Sequence, residues 1–75
     1  MNKVLVEAVN SILKIKPEAV TPETAQENTP SWDSLAHLRL ILEIEYNLGI
    51  RFNSQDIPQL TSVAALNEAI SKLGR

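Results

Sequence analysis

The sequence predicts an all-α fold: one domain, residues 1–75, built as a small bundle of three longer helices and one short one, with a long first loop. Three observations predict it. Apolar residues recur at three- and four-residue intervals over three separate stretches. Glycine occurs twice while Leu, Ile, Val and Ala are abundant, a composition that favours helices over a turn-rich β fold. Ile50 and Phe52 alternate across Arg51, but a lone strand has no pairing partner, so this segment reads as a packed loop.

The first helix is expected from about Lys3 to Lys14. Val4/Leu5, Ala8/Val9 and Ile12/Leu13 make one apolar stripe, Lys14 and Lys16 suit a helix C-terminus, and Pro17 stops the helix. Residues 16 to 33 then form a long connection. Pro17, Pro22 and Pro30, with several Thr, Glu, Gln and Asn residues, mark it as non-helical or at most a turn. Val20 is its expected buried anchor. Trp32 has the largest apolar surface in the chain and is expected to pack.

The second helix is expected from Ser34 to Leu48, with Asp33 as its N-cap and Gly49 at the left-handed position after its end. At 100° per residue its side chains sort into three strips. Leu40, Ile41, Ile44 and Leu48 face the core. Ala36, Arg39, Glu43 and Asn47 form a polar face, on which Arg39 and Glu43 are spaced for a weak ion pair. The third strip, Leu35, Leu38, Leu42 and Tyr46, is also apolar and begins beside Ser34. Leu35 and Leu42 are expected to be exposed as a docking stripe; Leu38 could equally lie under the loop or the short helix. His37 falls within the core-facing arc.

Beyond Gly49, Asn53 or Ser54 is expected to cap a single helical turn running through Asp56 and Ile57, with Pro58 limiting its length. Leu60 should be buried. Thr61 should cap the last helix, whose stripe is Val63, Leu66, Ile70 and Leu73. Gly74 and Arg75 read as a fraying end.

Bulk properties exclude several function classes. Seven Lys+Arg against nine Asp+Glu give a net charge of −2, without the basic stripe of a nucleic-acid binder. There is no cysteine, hence no disulfide and no thiol of the chain's own, and one histidine does not make a zinc site. The segment Met1 to Val9 is too short, and interrupted by Glu7, to act as a signal peptide. No apolar stretch approaches a membrane span. The expectation is a cytoplasmic protein without membrane contact.

Chemistry concentrates at Asp33-Ser34-Leu35. An N-cap aspartate leaves Ser34 at the first helical position, its hydroxyl outward at the positive end of the helix dipole, where a phosphate is favoured. Ser34 and His37 are also spaced like a nucleophile and base. However, no G-x-S-x-G turn surrounds the serine, no oxyanion donor is identifiable, and the chain is too small for a substrate cleft. An enzyme is therefore not expected.

Trp32-Asp33-Ser34-Leu35, the amphipathic helix that follows, and the later Leu60-Thr61-Ser62-Val63 resemble the acyl carrier protein family over nearly the whole chain. The serine also lies near the middle of a chain of about the family's length. The resemblance implies that Ser34, flanked by Asp33 and Leu35, carries 4'-phosphopantetheine, delivered from coenzyme A by a phosphopantetheinyl transferase with Mg²⁺. It implies that an acyl or aminoacyl group is then held as a thioester, and that a monomer presents its second helix to loading and using enzymes. The partner surface would be Leu35, Ala36, Leu38, Arg39, Leu42 and Glu45. A pocket for an acyl chain would draw on Leu38, Leu42, Ile57 and Ala64; the alternative for each is ordinary core packing, which is the expectation for Ile57.

Two departures bear on the pathway. Where family members often carry large apolar residues and a glycine before the Asp-Ser-Leu, this chain reads Gln26-Glu27-Asn28-Thr29-Pro30-Ser31-Trp32. The second helix is also less acidic than in fatty-acid-synthesis carriers, with Ala36, His37 and Arg39 early in it. Charge complementarity sets encounter rate and partner choice. The expectation is a standalone carrier in a specialised fatty-acid, polyketide or cell-surface pathway. A peptidyl carrier fits less well without a Gly-Gly pair before the serine; an aminoacyl or D-alanyl carrier shares the Asp-Ser-Leu pattern. The rival is an unmodified helical interaction module that binds a partner helix through the leucine stripe.

Overall fold

The computed structural model describes all residues, Met1–Arg75. It is all-helical, with α1 over Lys3–Leu13, α2 over Ser34–Leu48 and α3 over Val63–Lys72. Three 3₁₀ turns, Pro17–Ala19, Gln26–Asn28 and Ile57–Gln59, lie in the connections. No helix is long and apolar enough to cross a membrane.

The core is where the three apolar stripes meet. Leu5, Ala8, Val9 and Leu13 of α1 are buried, with Leu40, Ile41 and Ile44 of α2 and Val63, Leu66 and Ile70 of α3. The connections add Trp32, Phe52 and Leu60, and Val20 and Leu48 pack half-buried at the edge. α1 packs mainly on α2. Leu73 departs from the expected stripe: it follows the end of α3 and is 46% exposed.

Each helix end has a physical cause. The Asn2 side chain caps α1 by accepting the Leu5 N–H, and the Asp33 carboxylate caps α2 by accepting the Ala36 N–H at 2.8 Å. Gly49 closes α2 with φ +64°, as expected for that position. The cap of α3 is Ser62, not Thr61: its hydroxyl accepts the Ala65 N–H at 3.1 Å. The Thr61 carbonyl instead accepts the Gln26 N–H, beside a single antiparallel bridge between Ala25 and Ser62. That bridge sets the backbone at the junction, so the serine and not the threonine stands at the cap. The Gly74–Arg75 end is not frayed. The Arg75 N–H reaches back to the Ile70 carbonyl and the Gly74 N–H to that of Ser71, the paired bonds of a Schellman closure, and the Asn2 amide donates to the Arg75 carbonyl.

The long first loop is ordered by what it satisfies. The Thr24 and Pro22 carbonyls accept the Val63 and Ala64 N–H groups, the first two of α3. The Ser31 hydroxyl donates to the Leu13 carbonyl at the end of α1. A segment that reads as irregular thus supplies partners for two helix ends, the packing role that so long a loop in a compact domain requires. The expected short helix is present but displaced. Asn53 accepts the Gln55 N–H through its side chain, in a turn that leads into the 3₁₀ turn Ile57–Gln59, and Pro58 lies inside that turn rather than ending it. Proline is tolerated there because the first N–H groups of a helical turn have no internal acceptor.

Lys14 is the one non-glycine residue in the left-handed region, at φ +62°. Its side chain is exposed and α1 ends there. A β-carbon costs about 1–2 kcal/mol in this conformation. Lys14→Gly is therefore expected to stabilise the protein by about 0.5–1 kcal/mol after the extra chain entropy of glycine is subtracted, raising Tm by several degrees. A thermal melt followed by circular dichroism checks this; an unchanged or lower Tm counts against it.

Candidate functional site

The site is the first turn of α2. Ser34 is exposed and its hydroxyl has no hydrogen-bond partner in the fold. The backbone donors around it are divided. The Asp33 carboxylate takes the Ala36 N–H and the Asp33 carbonyl takes the His37 N–H. The Ser34 and Leu35 N–H groups have no acceptor, whereas the first three N–H groups of α3 are all satisfied. Two open donors at the positive end of a 15-residue helix therefore share the first turn with the serine hydroxyl. A phosphate ester on that hydroxyl fits this setting, and Asp33 is committed to its cap rather than to the serine.

Beside it runs the third strip of α2. Leu35, Leu38, Leu42 and Tyr46 are all exposed, Leu42 at 64% and Tyr46 at 87%. Leu38 is 55% exposed, so neither the loop nor the short turn buries it. A continuous row of large apolar side chains on one helix face is a patch of the kind that marks a contact surface. Arg39 borders it, exposed and without an ion pair, because Glu43 is bonded to the Asn47 amide and the protein's salt bridge is Lys72–Glu68 at 3.1 Å.

Two residues assigned to the partner surface have other work. Glu45 is half-buried, and its Oε2 accepts the Phe52 N–H at 2.8 Å, fixing the loop after α2. Periodicity placed it on the surface; the unpaired N–H seven residues on draws it in. Ala36 lies against the core, not on the polar face, because Ala36 and Leu40 occupy successive turns of one strip and its small side chain fits beneath the helix.

The acyl pocket is not gathered as the sequence suggested. Leu38 and Leu42 are on the outer face and Ile57 is half-buried against the core. Ala64 is exposed at a depression shared with Met1, Pro22 and Asn67. A depression of about 670 Å³ lies between α3 and the loop after α2, lined by Phe52, Asp56, Gln59, Ala65 and Leu73 among others, and contains none of the four.

His37 is buried, as its place in the core arc predicts, and both ring nitrogens are used. Nδ1 accepts from the Trp32 indole N–H at 3.0 Å, and Nε2 lies 2.8 Å from the Ile57 carbonyl. Neither is bonded to the Ser34 hydroxyl. Trp32 itself is 1% exposed. The sequence reading treated each as a packing residue and missed the pair; the signal was their five-residue spacing across a helix start. Comparison with protein-family models gives no match to the chain, and neither does comparison with curated proteins.

Proposed function

We propose that the chain is a standalone carrier, not an enzyme, and that Ser34 is the attachment point for 4'-phosphopantetheine. The observation that carries this reading is the free Ser34 hydroxyl, set at a capped helix start between two unsatisfied backbone donors and an exposed leucine row. When attached, the arm supplies the thiol that a cysteine-free chain lacks, on which an acyl or aminoacyl group is held as a thioester.

The chain's own residues divide the remaining tasks. Asp33 keeps the first turn formed, so that the hydroxyl stays outward. The open Ser34 and Leu35 N–H groups favour the negative charge of a phosphate joined at that oxygen. Leu35, Leu38, Leu42 and Tyr46 form the face on which a transferase and the acyl-handling enzymes dock, and the unpaired Arg39 at its margin makes this face less attractive to strongly basic partners. That charge pattern favours a specialised fatty-acid, polyketide or cell-surface pathway.

The test is incubation of the purified protein with coenzyme A, Mg²⁺ and a promiscuous phosphopantetheinyl transferase, with the intact mass recorded. The wild type is expected to gain one phosphopantetheine and Ser34→Ala none. Ser34→Ala should keep its stability within about 0.5 kcal/mol, since the side chain is exposed and unbonded. A folded wild type that two different transferases leave unmodified would replace this reading with that of an unmodified helical interaction module.

A further inference from the structure

The buried polar pair behind Ser34 has no role in carriage as described so far. An indole N–H can only donate, so the His37 Nδ1 that meets it at 3.0 Å is an unprotonated acceptor. The ring proton is then on Nε2, which donates to the Ile57 carbonyl at 2.8 Å. The two rings lie 6.0 Å apart, centroid to centroid. With Asp33 as N-cap, Trp32 is the residue before the cap and His37 the fourth of the helix. These are the two positions that a hydrophobic staple joins to fix how the chain enters a helix. Here a hydrogen bond joins them, and Ser34 lies inside the stapled segment. The second nitrogen extends the tie to the turn at Ile57–Gln59, 20 residues further on. An apolar pair would suffice for a staple alone; a ring bonded at both ends couples three separate parts of the chain.

We infer that His37 is a positioning residue for chemistry at Ser34: the neutral ring locks Trp32 and the Ile57 turn to the first turn of α2, and so fixes how the Ser34 hydroxyl is presented to the enzyme that modifies it. This rests on the carrier reading and deepens it. The lock exists in one protonation state. A proton on Nδ1 would set two donors against each other, and nothing nearby offsets its charge. No carboxylate lies within 4.0 Å of the ring. Asp33 on the same helix and Asp56 beside the Ile57 turn are exposed, as are Arg39, Lys3, Glu7 and Lys14, and Glu68 and Lys72 of α3. The bonded arrangement is therefore that of the neutral ring.

The test compares the wild type with His37→Leu, His37→Asn and His37→Gln, each first shown by circular dichroism to be helical at the assay temperature. Asparagine places an acceptor near the Nδ1 position and keeps the Trp32 bond; glutamine places a donor near Nε2 and keeps the Ile57 bond. Loading from coenzyme A by the transferase is followed by intact mass. His37→Leu is expected to lower kcat roughly tenfold, as a misplaced nucleophile does, with KM changed less than about twofold because the leucine row is untouched. His37→Asn should recover most of the rate. Wild-type kcat in folded His37→Leu overturns the inference while leaving the carrier reading intact. Should His37→Leu not fold, His37→Gln takes its place, and wild-type kcat there overturns the inference equally. Absence of loading in the wild type itself overturns both.

Discussion

Replacing Trp32 by alanine is expected to destabilise the protein by about 3–5 kcal/mol, the range for removing a buried large aromatic side chain. Trp32 is the largest side chain in the core and comes from a loop, so no helix propensity compensates for its loss. The substitution also leaves the His37 Nδ1 acceptor buried without its donor, which adds to the cost. A chain of 75 residues has a total stability of roughly 4–11 kcal/mol. Trp32→Ala should therefore be largely unfolded if the wild type lies at the low end of that range, and unfold at about half to three-quarters of the wild-type urea concentration if it lies at the high end. Trp32→Phe keeps part of the apolar volume and loses the hydrogen bond, so its loss should be clearly smaller. Urea melts followed by circular dichroism check both. A loss below about 1 kcal/mol in Trp32→Ala would mean that the loop is not part of the core, and the account of how it is ordered would fall with it.

The sequence was most informative where a signal is local. The bounds of α2 follow from a capping aspartate at one end and a glycine at the other, and both act as read: the Asp33 carboxylate on the Ala36 N–H, Gly49 at positive φ. The two apolar faces of α2 follow from its period, and the structure separates them into buried Leu40, Ile41 and Ile44 and exposed Leu35, Leu42 and Tyr46. What was not legible depends on partners distant in the chain. Ser62 rather than Thr61 caps α3 because residues 24–26 of the first loop hydrogen-bond across the junction. Glu45 turns inward because the Phe52 N–H needs an acceptor. The acyl pocket was assembled from residues near one another in the expected order of elements, yet Ala64 lies against Pro22 and Met1, where the loop brings them. The Trp32–His37 bond is local and has staple spacing, but a tryptophan reads first as apolar surface, and nothing in its sequence neighbourhood marks the partner of its N–H.

Leu40→Ala is expected to cost about 2–5 kcal/mol and Leu42→Ala less than about 0.5 kcal/mol, although the two leucines are two residues apart on one helix. Helical geometry separates them by about 200°, which sends one side chain into the core and the other to solvent. Leu40 is fully buried, between α1 and the rest of the core, and its truncation leaves a cavity that the close-packed neighbours fill only in part. Leu42 is 64% exposed, so alanine removes little that folding buried and improves helix propensity slightly. Function should divide the other way. If the chain is the carrier proposed above, Leu42→Ala should fold and still be modified at Ser34, but raise the KM of the transferase for the chain, because the lost apolar surface is on the exposed leucine row. Folded Leu40→Ala, assayed well below its melting temperature, should show a KM near that of the wild type. Chemical denaturation gives the first pair of numbers and loading kinetics by intact mass the second. Equal stability losses at the two positions would mean that the outer row is covered in the folded protein. An unchanged KM in Leu42→Ala would move the docking surface away from Leu42, toward Leu35 at the start of the helix.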